Sequence, residues 1–530
     1  LLLDVLSAQH PSYTPAVWAK YDALYRGGEA FRACIDAFLP QNPQEPATVY
    51  AARKTEAPYT GYVGPICDWF AAKLFSASLV VRATNATGEH VDADPFYAAW
   101  KEDVDGAGTD LVDFVRASFT SALVKGRSWW CVELPDDGEG EPINAAHWKA
   151  RGLGDAYVYS LENEQVLDFA VDGRGELTWA IVADVDTPRD LPTDKRSRIV
   201  ETWRVYDRTN VETFRISYDP AVNEQRPTSA PSIDKRPHGF QRVPLVALGF
   251  VGTKAVKIRV GARTVLVGGS KMEGFWLLSR LADPQIAHFR NSAALDWNIK
   301  RTCYAMPVFE IGDEDKPPVM GAGYFIQLAP GDKANWIGPP TQHLDVLAKR
   351  VDSLKDEIYR VANQMAQGVS NNAAAIGRSG ESKQADANST EVVLRVYGAI
   401  AREAIERTYS LLAEGRGDPV GWSIEGFDTF SLSDATQVVA AALDVQALDV
   451  PSATFRRELM YRVADAFLPN ADQATKDAIR SEIDSGVTDE ETAEPPMVPA
   501  EADEPEVDDE PEPPGSQREP VLPDLTTTKP

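Results

Sequence analysis

The stretch HLDVLAKRVDSLKDEIYRVANQMAQ, residues 343–367, decides how this chain is organised. Its apolar positions are Leu344, Leu347, Val351, Leu354, Ile358, Val361 and Met365, separated alternately by three and four residues. That alternation puts all seven on one stripe of an α-helix, with charges of both signs on the other faces. A helix of this length spans about 37 Å, and the stripe needs a partner along all of it. Plain core packing makes such a stripe, and so does a seam between subunits. Upstream, residues 271–281 read as one helix. Asp283 and Pro284 then read as an N-cap followed by Pro at the first helical position, opening a second helix to about Lys300. Between the upstream helices and the striped one, residues 302–342 are rich in Pro and Gly, with strand candidates at Pro307–Ile311 and Tyr324–Leu328. Downstream, Gly368–Asn388 is mostly Gly, Ala, Ser and Asn and reads as a loop. Ser389 or Thr390 can cap a further helix to about Glu414, where Leu394, Tyr397, Ala401, Ala404, Thr408 and Leu411 repeat the spacing.

Further out, the first 125 residues are helical in pattern. Apolar side chains recur at helical spacing over Pro15–Phe38, broken at Gly27 and Gly28, and again over residues 59–79. Asp110–Lys125 is amphipathic and stops at Gly126. A β-rich region follows, with strands expected over 128–134, 156–160, 166–169, 177–182, 199–206, 211–218 and 243–251. Asp172-Gly173 forms a hairpin turn, and Arg226–Pro237 reads as a polar loop. Gly421–Phe430 is a short strand candidate, and residues 431–485 read as small helices separated by Pro451 and Pro469. There is no internal repeat. The fold class expected is α+β, in several domains.

The chain has 530 residues, 53 basic and 80 acidic side chains and a formal charge of −27. That balance argues against a protein that grips nucleic acid through clustered Lys and Arg. The charge is uneven, however. Residues 489–530 hold fourteen acids, two bases and ten prolines, the composition of a disordered acidic tail. Residues 391–488 hold sixteen acids and nine bases, whereas residues 271–390 hold fourteen and thirteen. The middle of the chain is therefore near neutral, which disfavours tight phosphate binding and leaves passage of DNA open. Cys34, Cys67, Cys131 and Cys303 are far apart and form no CxxC pair, so neither a zinc module nor a disulfide framework is expected. Leu1–Leu6 is too short and acidic for a signal peptide, and no apolar run approaches about 18 residues. The expectation is a soluble, intracellular chain.

Motifs for catalysis are missing. There is no GxxxxGK[ST], HExxH or GxSxG, and the six histidines are isolated. Asp103–Asp110 resembles a calcium loop only superficially, because its twelfth position is Phe114 rather than Glu. No catalytic, cofactor-binding or metal-ligating residue is assigned. Eighty acids leave open a metal-dependent nuclease or hydrolase built from scattered carboxylates. A structural scaffold using its acidic tail to hold a basic partner is a further alternative.

Several strings, taken in their order, carry a family likeness. Phe119–Pro135 runs helix, Gly and apolar strand ending in Pro; Tyr157–Ile181 runs strand, a DG turn and an LTW strand. PHGFQRVPLV follows at residues 237–246, then LADPQIAHFRNSA at 281–293 and Pro307-Val-Phe. This order resembles the portal, or head-to-tail connector, proteins of tailed bacteriophages. The likeness covers most of residues 50–470. It implies a wing over residues 1–270, stem helices over 271–301 and 343–367, and a clip over 302–342. It further implies a tunnel loop over 368–389, a long helix over 390–415, a crown over 416–485 and a disordered tail over 486–530. The implied function is a ring, of twelve copies by the family likeness, at one capsid vertex, through which double-stranded DNA is packaged and ejected. The implied partners are the major capsid protein, the terminase large subunit and a neck or tail adaptor, with no membrane and no cofactor. The implied location is the virion, and the host cytoplasm during assembly. Arg378 and Lys383 would be the loop's cations near DNA, offset by Glu381 and Asp386, a weak contact suited to sliding. Phe325 and Trp336 in the clip read equally as assembly anchors or as a small satellite core.

Overall fold

Helices open the chain: α1 (Leu2–Leu6), α2 (Pro15–Arg26), α3 (Gly28–Ala33), α4 (Ile35–Phe38), α5 (Ala47–Glu56) and α6 (Val63–Leu74). This computed structural model describes residues 2–76, 79–135, 155–189, 198–222, 224–260, 263–270, 272–302, 306–310, 333–337, 342–362, 380–427, 452–468 and 473–492. The first helices converge on one apolar cluster, where Leu24, Phe31, Phe38, Ile66 and Phe70 are buried together. Phe31 stacks on Tyr59 at 3.7 Å and on Phe38 at 4.8 Å, contacts that add to simple area burial.

Strands β1 (Val80–Thr84) and β2 (His90–Val91) and helix α7 (Pro95–Glu102) lead to α8 (Leu111–Lys125). The boundaries of α8 follow from its sequence. Asp110 caps the N-terminus by accepting from the Asp113 amide at 2.8 Å. Gly126 ends it with φ 89°, a left-handed conformation that favours glycine. Strand β3 (Arg127–Glu133) starts at once, and its alternation sorts two cores. Trp130 and Val132 face the helical cluster, while Trp129 and Cys131 face the β-rich one. β3 is flanked by β4 (Tyr157–Leu161) and β10 (Leu245–Gly249), with Trp129 opposite Leu161 and Ala247.

The second sheet is a meander of β5 (Val166–Val171), β6 (Leu177–Asp186), β7 (Ile199–Tyr206), β8 (Asn210–Tyr218) and β9 (Ser232–Pro237). One face gives Phe169, Ala180, Val182 and Tyr206 to the core shared with β3. The other gives Ile181, Trp203, Phe214 and Ile216, and Leu3 and Leu6 of α1 cover it. The Arg226–Pro237 stretch, expected as a loop, ends as edge strand β9 paired with β8. Its largely exposed polar side chains hid it, since nothing alternates when neither face is buried. Strands β11 (Val251–Val260) and β12 (Arg263–Ser270) form a further hairpin, where no strand is expected from residues 252–270.

Two helices were expected over 271–300, and the structure has one, α9 (Leu277–Thr302), with Pro284 inside it. An internal proline costs about 3 kcal/mol. Leu278 and Leu281 before it and Phe289 and Ala293 after it are all buried in the main cluster, which holds the helix together across the break. Gln285, also buried, locks this turn by accepting from Tyr62 N at 3.0 Å and donating to Thr60 O at 2.9 Å. Strands β13 (Met306–Glu310) and β14 (Lys333–Ile337) pair antiparallel before α10 (Gln342–Val361).

Helix α11 (Gly380–Arg416) is 37 residues long and begins ten residues earlier than its expected start at Thr390. Glu381, Lys383, Gln384 and Ala385 are good helix formers, so the polar, small-residue stretch extends the helix rather than looping. Its stripe Leu394, Tyr397, Ala401, Ala404, Thr408 and Leu411 is buried throughout. Strand β15 (Gly421–Glu425) returns to pair with β1, joining chain segments more than three hundred residues apart. Two helices close the described chain, α12 (Ala453–Phe467) and α13 (Gln473–Thr492). Residues 486–492, expected within the acidic tail, are thus helical. The fold is α+β, and every strand pair among the described residues is antiparallel. No helix among the described residues is long and apolar enough to cross a membrane.

Candidate functional site

The candidate site is the helical arm formed by α9 and α10. The two run antiparallel and pack together, with the β13–β14 pair between them in sequence. Their root is fixed in the main core. Phe289 and Ala293 of α9 share one buried cluster with Ile358 of α10 and with Ala362 just beyond it. Tyr62 from α6's leading edge bridges both helices, its ring edge-on to His288 at 5.0 Å and to Tyr359 at 5.9 Å. Arg290 Nε donates to Phe38 O at 2.7 Å and ties the α9 root to α4.

Burial falls off along the arm. Of the predicted stripe, Leu354 and Ile358 are buried, whereas Leu344, Leu347, Val351 and Val361 are only half-buried. Beyond Ala293, α9 has no buried residue up to Lys300, and Ile299 is 38% exposed. Val346 on α10 is 68% exposed. The stripe is therefore fully covered at Leu354 and Ile358 and only partly covered on either side of them. Helix α10 carries four acids and four bases, so its polar faces are balanced. Arg360 and Glu357 pair on the outer surface at 2.5 Å, and that pairing holds the Glu357 carboxyl below its usual range.

Other predicted residues are distributed as follows. Met365, Phe325 and Arg378 lie outside the described residues. Trp336 is on β14, where its Cα partner in the pair is Pro307. Lys383 is in the first turn of α11.

Sequence reasoning missed the buried polar group at the arm root. His288 is buried, its Nδ1 lies 3.5 Å from Ser292 Oγ, and its Nε2 has no hydrogen-bond partner. Burial lowers its pKa and the Lys355 charge adds to that, while Asp352 opposes them. An isolated histidine carries no spacing signal, so only the packing of α6, α9 and α10 reveals it. The Asp103–Asp110 stretch, by contrast, is a turn closed on itself. Asp103 accepts from the Gly108 amide at 2.9 Å, and Asp105 accepts from the Ala107 amide at 2.9 Å.

Against known proteins, a family described as a domain of unknown function (DUF4055) matches residues 278–406. That span takes in nearly all of α9, the whole of α10 and most of α11. No curated protein matches the chain. The matched segment is the arm together with most of α11, which packs against α6, β3, β10 and β15.

Proposed function

We propose that this chain is a portal subunit of a tailed bacteriophage, one copy in a closed ring at a capsid vertex. The observation that carries the reading is the arm, a two-helix unit whose apolar stripe is fully buried only at Leu354 and Ile358 and half-buried over Leu344, Leu347 and Val351. A surface of that kind is completed by a neighbouring copy, and head-to-tail contacts that close give a cyclic ring. Under this reading α9 and α10 are the stem, and residues 302–342 with the β13–β14 pair are the clip. The clip docks the terminase during packaging and the neck or tail adaptor afterwards. The sheets and helices up to residue 270 are the wing, which meets the major capsid protein, and residues 416–485 are the crown. The tunnel loop of the resemblance, residues 368–389, overlaps the start of α11 at Gly380. The near-neutral charge of residues 271–390 suits a wall past which double-stranded DNA slides. The chain performs no chemistry of its own; the motor that docks on it hydrolyses ATP.

The test is native mass measurement and negative-stain imaging of the purified full chain across salt and concentration. Rings of about twelve copies are expected. A compact monomer under every condition would overturn the proposal.

A further inference from the structure

Strands β11 and β12, of ten and eight residues, form a ribbon that pairs with no third strand among the described residues. At the rise of an extended chain β11 is about 33 Å long. Beyond its own pair, the main contact of the ribbon is between β11 and β5, the edge strand of the five-stranded meander. The ribbon therefore follows β10 directly in the chain yet joins neither its sheet nor the meander. Two strands alone in water are marginal, and a lasting ribbon needs an apolar face packed on something further.

The register supplies such a face. Val256 is opposite Val267 and Ile258 is opposite Val265, and strand alternation puts these four on one face of the ribbon. Lys257, opposite Leu266, and Arg259, opposite Thr264, fall on the other. With Lys254 and Arg263, residues 251–270 hold four bases and no acid, in a chain of formal charge −27. That contrast of sign selects the partner. Copies this acidic repel one another, so contact between them is favoured where one presents cations to the acidic surface of the next. A head-to-tail contact joins two different surfaces, which allows a basic ribbon on one copy to meet an acidic face on its neighbour. Double-stranded DNA would match the cations but leave the Val and Ile face in water, since most of what it offers a protein is phosphate and sugar.

We propose, resting on the reading of this chain as a ring subunit, that the β11–β12 ribbon is a clasp between neighbouring copies. It reaches onto a second copy of this chain and lies between the two with both faces covered, its Val and Ile face by apolar side chains and its cations by acids. The clasp is a contact separate from the arm, and it sets a salt-sensitive part of the association.

The test is analytical sedimentation of the full chain over a concentration series, at low and at high salt. Lys257→Glu with Arg259→Glu reverses two charges on the face opposite the valines, and circular dichroism with a thermal melt checks its fold. At low salt this variant is expected to associate about tenfold more weakly than the wild type. Lys257→Gln with Arg259→Gln, which only removes the charges, is expected to fall between the two, and high salt to narrow all these differences. Ile258→Ala with Val265→Ala is expected to weaken association at both salts, because an apolar contact is not screened. A short double-stranded DNA is titrated into the same samples. Wild-type rings together with undiminished association of the charge-reversed variant overturn the clasp and leave the ring reading standing. Undiminished association with loss of DNA binding overturns it too, and assigns the ribbon to DNA. A wild-type chain that stays monomeric at every salt and concentration overturns both the clasp and the ring.

Discussion

The base of the molecule and its arm are built from similar helices and end in different states. In the base, each apolar face meets a partner within the chain. β3 gives Trp130 to one core and Trp129 to another, and the meander is covered by β3 on one side and α1 on the other. The α11 stripe is buried from Leu394 to Leu411. In the arm, the α10 stripe repeats the same three-four spacing, yet only Leu354 and Ile358 reach full burial. The same pattern thus has two fates, set by how many elements the tertiary structure brings against it. A stripe left half-covered in a charge-balanced helix is the expected form of a surface shared between copies.

The largest effect that sharpens this contrast is at the root. Phe289, fully buried against Phe31 at 4.8 Å and Tyr59 at 5.9 Å, is the point where base and arm share a core. Phe289→Ala is expected to lower stability by about 3–5 kcal/mol, measured by denaturant unfolding. Ile358→Ala, at the buried end of the stripe, should cost about 2–5 kcal/mol in the same assay. If the cost at Ile358 were no greater than at half-buried Leu347, the gradient along the arm would be wrong. Within the base, Asp110→Ala removes the cap of α8 and should cost about 1 kcal/mol, without touching assembly.

Acidification compares the regions through two buried histidines. His10 in the base and His288 at the arm root both have pKa values lowered by burial. The unfolded chain binds these protons more readily than the folded one, so both contribute stability above the ordinary value of about 6.5. That stability is lost as pH falls below it, for His10 through the window down to about 4. Thermal melts between pH 7 and 4 should show falling stability, reduced in His10→Gln and in His288→Gln. Identical pH profiles for the wild type and both variants would contradict the burial of these rings.

What was legible beforehand follows from how each element earns its burial. The helical spacing of α10 and α11 and the Gly126 stop are local patterns, and the helices form where that spacing lies. The continuity of α9 through Pro284 was not legible, because the contacts that hold it come from Tyr62, Thr60 and the first helices, more than two hundred residues away. Strand β9 was hidden by its polar, exposed side chains, and the early start of α11 by a composition that suits loop and helix alike. At the arm, the stripe could be read from spacing alone. Its uneven burial and the His288 cluster could not, since both depend on which elements surround the helix.

Under the proposed function, the arm's half-buried stripe is a contact between copies, separate from what folds each copy. Sedimentation equilibrium of the wild-type chain beside the double variant Leu347→Asp, Val351→Asp tests it directly, with thermal melts run on the same samples. A ring mass is expected for the wild type, and for the variant a folded monomer that melts as before. A variant that keeps the wild-type mass would contradict it.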